Sequence, residues 1–179
     1  MTDDYDEFGL FDENAAEAGL EWQGPPEVAR VSVAVDGRRR VSALRWGSAP
    51  PEVVLLHGGA QNAHTWDTVL LALGRPALAV DLPGHGHSDW RDDHAYRPPE
   101  LATDVATAIE ALAPGAALVV GMSLGGLTSF CLAATRPELV ARLAVVDVTP
   151  EGFRIVELAP GVTFEEVEAK TGTMILPPE

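Results

Sequence analysis

Three stretches of the chain share one form: "EVVLLHGG" (52–59), "PALAVDLPG" (76–84) and "AALVVGMSLGG" (116–126). Each is a short continuous apolar run that ends in glycine. A strand with one wet face alternates apolar and polar residues, so a run that is apolar throughout is buried on both faces. That is the signature of strands in a parallel sheet covered by helices on both sides.

The intervening segments fit that arrangement. "AHTWDTVLLALG" (63–74) has helical spacing and a glycine stop. "PPELATDVATAIEALAPG" (98–115) opens on proline and closes on Pro-Gly, as helices do. A further helix is expected from Ser123 to about Arg136, ended by Pro137, then a strand at "LAVVDV" (143–148). Ahead of these, "ARVSVAVDG" and "RRVSALRW" alternate with period two around Asp36-Gly37, which predicts a hairpin with a two-residue turn. Its basic run, Arg38-Arg39-Arg40, is expected to be a solvated tip. The order is a hairpin followed by β-α-β-α-β-α-β, an α/β fold with a mainly parallel sheet and flanking helices.

Composition limits what such a chain does. Net charge is −15, from 27 acidic residues against 12 Lys and Arg. An acidic surface repels phosphate backbones and anionic membranes, so neither nucleic-acid nor membrane partners are expected. The single cysteine, Cys131, rules out an internal disulfide and reads as a structural thiol. The acidic N-terminus does not look like a signal peptide, and a cytoplasmic protein is expected. Oligomeric state is not legible. Residues 1–24 contain eight acids and no Lys or Arg, and read as a loosely ordered acidic arm. Residues 25–150 read as the α/β core, and 151–179, with "TFEEVEAKTG" as an acidic helix, as the start of a cap or inter-strand insertion.

In parallel sheets chemistry sits at the carboxyl ends of the strands. Gly121-Met122-Ser123-Leu124-Gly125 is G-x-S-x-G between a strand and a helix. A serine on so sharp a turn has a strained backbone, and the two glycines remove Cβ atoms that would crowd it. Ser123 is the candidate nucleophile. The Leu124 N–H is a natural first donor to an oxyanion, and the "HGGAQNAHTW" loop supplies the second, from Gly59 with Ala60 as neighbour. Trp66 reads as core.

The ordered set "LLHGG", "DLPGHGHSD", "GMSLGG" and "RPELVARLAVVDVTP" resembles an α/β-hydrolase-fold serine hydrolase of the esterase kind, over roughly Val31 to Pro150. The resemblance implies Ser123 as nucleophile, Gly59 and Leu124 as oxyanion hole, and Asp147, after the next strand, or an acid later in the chain as the triad acid. It implies a small-molecule ester or related acyl substrate and no cofactor. Ser123 argues against the aspartate-nucleophile members of the family.

Serine needs a general base, and in this family a histidine follows it in the chain. His57, His64, His85, His87 and His94 all precede Ser123. The expectation is an N-terminal portion of a longer hydrolase, inactive alone, with the C-terminal strands and the base beyond Glu179. A non-catalytic relative is the alternative. A more distant alternative is a zinc hydrolase using His85, His87 and Asp89, which resembles the start of an H-x-H-x-D-H motif. Trp90 stands where that motif needs its next histidine.

Overall fold

The computed structural model describes residues 6–149, 152–158, 163–165, 167 and 175–177. Helix α1 (Phe11–Glu17) precedes a hairpin of β1 (Val28–Ala34) and β2 (Arg40–Trp46). Then come β3 (Val53–Leu56), α2 (Asp67–Leu73), β4 (Ala77–Val80), α3 (Pro98–Leu112) and β5 (Leu118–Met122). Helix α4 (Leu124–Thr135), β6 (Leu143–Thr149), β7 (Gly152–Leu158) and β8 (Ile175–Leu176) complete the series.

The strands form one sheet in the order β1-β2-β4-β3-β5-β6-β7-β8. The four central strands β4, β3, β5 and β6 are parallel. Their doubly buried runs put alternate residues into two separate cores. Leu55, Val120, Met122 and Val146 pack on one face with Phe11, Trp66 and Leu70, beneath α1 and α2. Val54, Leu56, Val119 and Val145 pack on the other with Val105, Ile109 and Leu132, beneath α3 and α4. The result is an α/β sheet covered on both faces, as the apolar runs require. Trp66 is core, and Cys131 is half-buried against the second face.

Chain order reverses at β3. The chain runs from β3 to β4 on one side, then returns through α3 to β5 on the other. Such a reversal opens a crevice at the carboxyl ends of β3 and β5, where ligands bind in sheets of this type.

Some expectations need adjustment. The hairpin loop is longer than two residues, because Val35 N–H donates to Arg39 O at 3.0 Å and Ala34 pairs with Arg40. Asp36 Oδ1 accepts the Arg38 and Arg39 N–H groups, an Asx-type closure that sets the longer loop. Arg39 is not a solvated tip residue: its guanidinium reaches Asp104 of α3 at 2.9 Å, and Arg91 grips the same carboxylate at 2.6 Å. The acidic arm is docked rather than loose from Asp6 onward. Phe11 and Ala15 of α1 are buried, and the Phe11 ring lies 5.1 Å from that of Trp46. After Pro150 the described residues extend the sheet. Strand β7 runs antiparallel to β6 and β8 pairs with β7, so this stretch adds strands where the sequence suggested an insertion. Of the expected "TFEEVEAKTG" helix, residues 164, 165 and 167 are helical, and the rest lies outside the described residues.

Candidate active site

Ser123 joins β5 to α4. It sits at the N-cap of α4 with φ 49° and ψ −114°, and its side chain makes no capping hydrogen bond. A positive φ on a residue with a Cβ is strained and persists only where the surroundings enforce it. Those surroundings are on hand. A Cβ on Gly121 would lie 2.5 Å from Gly125 O and from Ser129 Oγ. A Cβ on Gly125 would lie 2.6 Å from His57 O and closer still to Leu56 O. A Cβ on Gly126 would meet Val145 Cγ1 at 2.8 Å. Helix α4 therefore starts hard against the end of β3 and lies close over β6. Its positive end points at an exposed serine.

The strand registers bring the other sequence-selected residues to this level. Leu56 pairs with Gly121, so the Gly58-Gly59 turn leaves β3 beside Ser123. Met122 pairs with Val146, so Asp147 follows on β6 at the height where Ser123 follows on β5. Asp147 lies inside β6, opposite Arg154 of β7, rather than beyond the strand end. In the first loop the left-handed residue is Ala60 (φ 60°), not Gly59, and Gln61 fixes the turn by accepting the Gly58 N–H at 2.8 Å. Among the described residues the N–H groups of Gly59 and Leu124 donate no hydrogen bond.

His57 and His85 are held in other roles. His57 is fully buried; its Nε2 accepts the Leu82 N–H at 2.9 Å, and its Nδ1 lies 2.7 Å from Gly58 O. The acceptor role at Nε2 puts the ring proton on Nδ1. Burial pushes its pKa down to about 4 despite the Gly58 carbonyl. It is a neutral brace between the β3 and β4 loops. His85 lies against it, with ring centroids 5.1 Å apart and Nδ1 on Pro83 O at 3.1 Å. Asp89 accepts the Arg40 N–H at 2.7 Å. His85, His87 and Asp89 therefore do not converge, and among the described residues no three His, Cys, Asp or Glu side chains form a metal-binding group.

Sequence reasoning did not find the pair His64–Asp67, joined Nδ1 to Oδ2 at 2.7 Å, nor Asp81 as a hub. Asp81 is completely buried and takes the Ala63 N–H, the His87 N–H and the Arg30 guanidinium. The signal available was the sequence distance of three between His64 and Asp67 on a helical segment. A cavity of about 470 Å³ lies between residues 20–27, Trp46 and Pro76. It borders the starting ends of the parallel strands, away from Ser123.

This strand-to-helix turn at Ser123 and the doubly covered sheet define a hydrolase-type scaffold. Residues 51–166 match the alpha/beta hydrolase fold family, and the chain belongs to it. Esterase Rv0045c of Mycobacterium tuberculosis is 57% identical over 150 residues, which are 83% of this chain and 48% of that protein. Its crystal structure superposes with a TM-score of 0.75 at 55% identity, over 84% of this chain and 52% of the other. The pimeloyl-[acyl-carrier protein] methyl ester esterase of Aeromonas salmonicida is 38% identical over 62% of this chain and 42% of its own length. The chain spans about half the length of these curated relatives. Among the described residues no helix is long and apolar enough to cross a membrane.

Proposed function

We propose that the chain carries the nucleophile and oxyanion hole of a serine hydrolase acting on carboxylic esters or related acyl compounds. The observation that carries this reading is Ser123 held at φ 49° at the start of α4, with no capping role for its hydroxyl. Relatives named as esterases support the ester as substrate class.

In this reading Ser123 Oγ attacks the ester carbonyl carbon. The Gly59 and Leu124 N–H groups hold the negative oxygen of the tetrahedral intermediate, and the α4 dipole adds to that field. The proton passes to a histidine and then to the departing alkoxide. Water, activated by the same base, releases the acid from the acyl-enzyme. Asp147 is assigned as the carboxylate that orients the base. His57 does not suit that role, since its ring is locked between Leu82 and Gly58 and stays neutral, and all five histidines of this chain precede Ser123, whereas the family order places the base after the nucleophile. The base is assigned to the half of the relatives' length that this chain does not span, so the 179-residue chain alone should show no turnover.

The test is to extend the protein through the base-bearing half of the relatives' length, which this chain does not span, and to react it with a fluorophosphonate, followed by peptide mass spectrometry. Labelling confined to Ser123 and absent in Ser123→Ala is expected. Labelling elsewhere, or ester turnover that survives Ser123→Ala, would overturn the reading.

A further inference from the structure

One acidic residue of the N-terminal arm touches two ion-pair chains, and both end on the loop that carries Gly59. Glu7 Oε1 accepts from Arg30 Nε at 2.6 Å. Arg30 Nη1 in turn donates to Asp81 Oδ2 at 2.7 Å. Asp81 Oδ1 accepts the N–H of Ala63, at the foot of the 57–66 loop, at 2.7 Å. On the second path Glu7 Oε1 lies 3.4 Å from His64 Nε2, within the same loop, and His64 Nδ1 is fixed by Asp67 at 2.7 Å. Phe8 adds a ring contact to His64.

Arm docking does not need this arrangement, because Phe11 and Ala15 are already buried. Asp81 has a partner in Arg30 and accepts two N–H groups without Glu7. What Glu7 adds is a cross-link between the arm and two points of one catalytic loop. Fixing such a loop matters, since an oxyanion donor displaced by ~1 Å loses most of its effect.

We propose that Glu7 is a positioning residue: through Arg30–Asp81 and through His64 it holds the Gly59 loop in place for the oxyanion. The inference rests on the reading of Gly59 as a donor. The arm is then part of the catalytic apparatus, acting through the loop and never touching substrate.

The charges set when this grip is firm. Asp67 and Glu7 raise the pKa of His64 above its ordinary 6.5, opposed by burial and by Arg30. Burial raises Glu7, but Arg30, His64 and the charge of His87 outweigh it and hold Glu7 below 4.5. A raised histidine contributes fully below 6.5 and is lost as pH rises through its folded value. A lowered carboxylate contributes above 4.5 and is lost as pH falls. The grip is therefore firmest between those limits.

The experiment compares wild type with Glu7→Gln and Glu7→Asp, each extended through the base-bearing half as in the labelling test above. Amide exchange over 57–66, corrected for intrinsic rates, should quicken roughly five-fold in Glu7→Gln, as loss of a charge-assisted contact implies. Exchange over Phe11–Glu17 should stay unchanged. The fluorophosphonate, whose phosphoryl oxygen uses the same hole, should label Ser123 several-fold more slowly at saturation with unchanged half-saturation, and Glu7→Asp should recover part of the rate. In wild type the loop protection should fall as pH rises through the raised pKa of His64, and His64→Gln should flatten that fall. Unchanged exchange over 57–66 in Glu7→Gln, or a change only in half-saturation, would overturn the proposal. If Ser123 takes no label at all, the serine-hydrolase reading fails, while the exchange data still decide whether Glu7 holds the loop.

Discussion

Replacing Gly125 by alanine places one methyl group between α4 and the end of β3. That methyl would lie 2.6 Å from His57 O and nearer to Leu56 O. Both obstacles are main-chain carbonyls at the end of a parallel strand, so neither rotates away, and relief requires the helix start or the strand end to retreat by about 1 Å. Overpacking of this kind costs roughly 3 kcal/mol, offset by at most about 1 kcal/mol for replacing a helical glycine. In a chain of this size a net loss near 2 kcal/mol lowers the melting temperature by roughly 4–8 °C. Two neighbours serve as internal standards. Gly126→Ala meets only a Val145 methyl at 2.8 Å, which a small side-chain adjustment relieves. Its net change should stay within about 1 kcal/mol. Gly59→Ala meets nothing within 4 Å and should stay within about 0.5 kcal/mol. Scanning fluorimetry of the three variants reads the series directly. If Gly125→Ala melts no lower than Gly59→Ala, the elbow is not as tightly packed as the backbone geometry requires.

Other expectations follow from buried charges and from the arm. His57 titrates at about 4 when folded and at 6.5 when unfolded, so the unfolded chain binds the extra proton between those values. Stability should fall by up to roughly 3 kcal/mol as pH drops from 6.5 to 4, and urea midpoints across that range will show it. Asp104→Ala would leave Arg39 and Arg91 facing each other without their shared carboxylate. It should cost roughly 3 kcal/mol in urea titrations. Phe11→Ala removes the ring packed on Trp46 and should abolish amide protection over Phe11–Glu17 while leaving β3–β5 protected, which exchange mass spectrometry resolves.

The parallel core was legible because its signals are local. Runs such as Val53–Leu56 and Ala77–Val80 are apolar at every position, and glycine or proline marks each exit. The elbow was legible for the same reason: Gly121, Ser123 and Gly125 are close in sequence and their spacing is a steric requirement. Strand β7 was not legible. "GFRIVEL" alternates weakly, and its strand identity depends on pairing with β6 across a bulge near Val145 and Val146. The docked arm escaped notice because its acidity reads as solvation. The partners that neutralise Glu7, at Arg30 and His64, lie 23 and 57 positions away. The role of Asp81 was hidden likewise. Nothing near it in sequence shows that Arg30 and Ala63 converge on its carboxylate.

The elbow has one more consequence. Strain at position 123 is enforced by what its neighbours lack, namely the Cβ atoms of Gly121, Gly125 and Gly126, and by the fit of α4 against β3. The hydroxyl contributes no capping bond to that fit. Position 123 is thus a socket: the backbone presents whatever side chain is inserted there, and the scaffold is indifferent to its chemistry. Cysteine or aspartate could occupy the same pose without refolding the protein. In such an architecture the pose at position 123 depends less on the side chain it carries than on Gly121 and Gly125, whose added Cβ atoms would meet main-chain carbonyls.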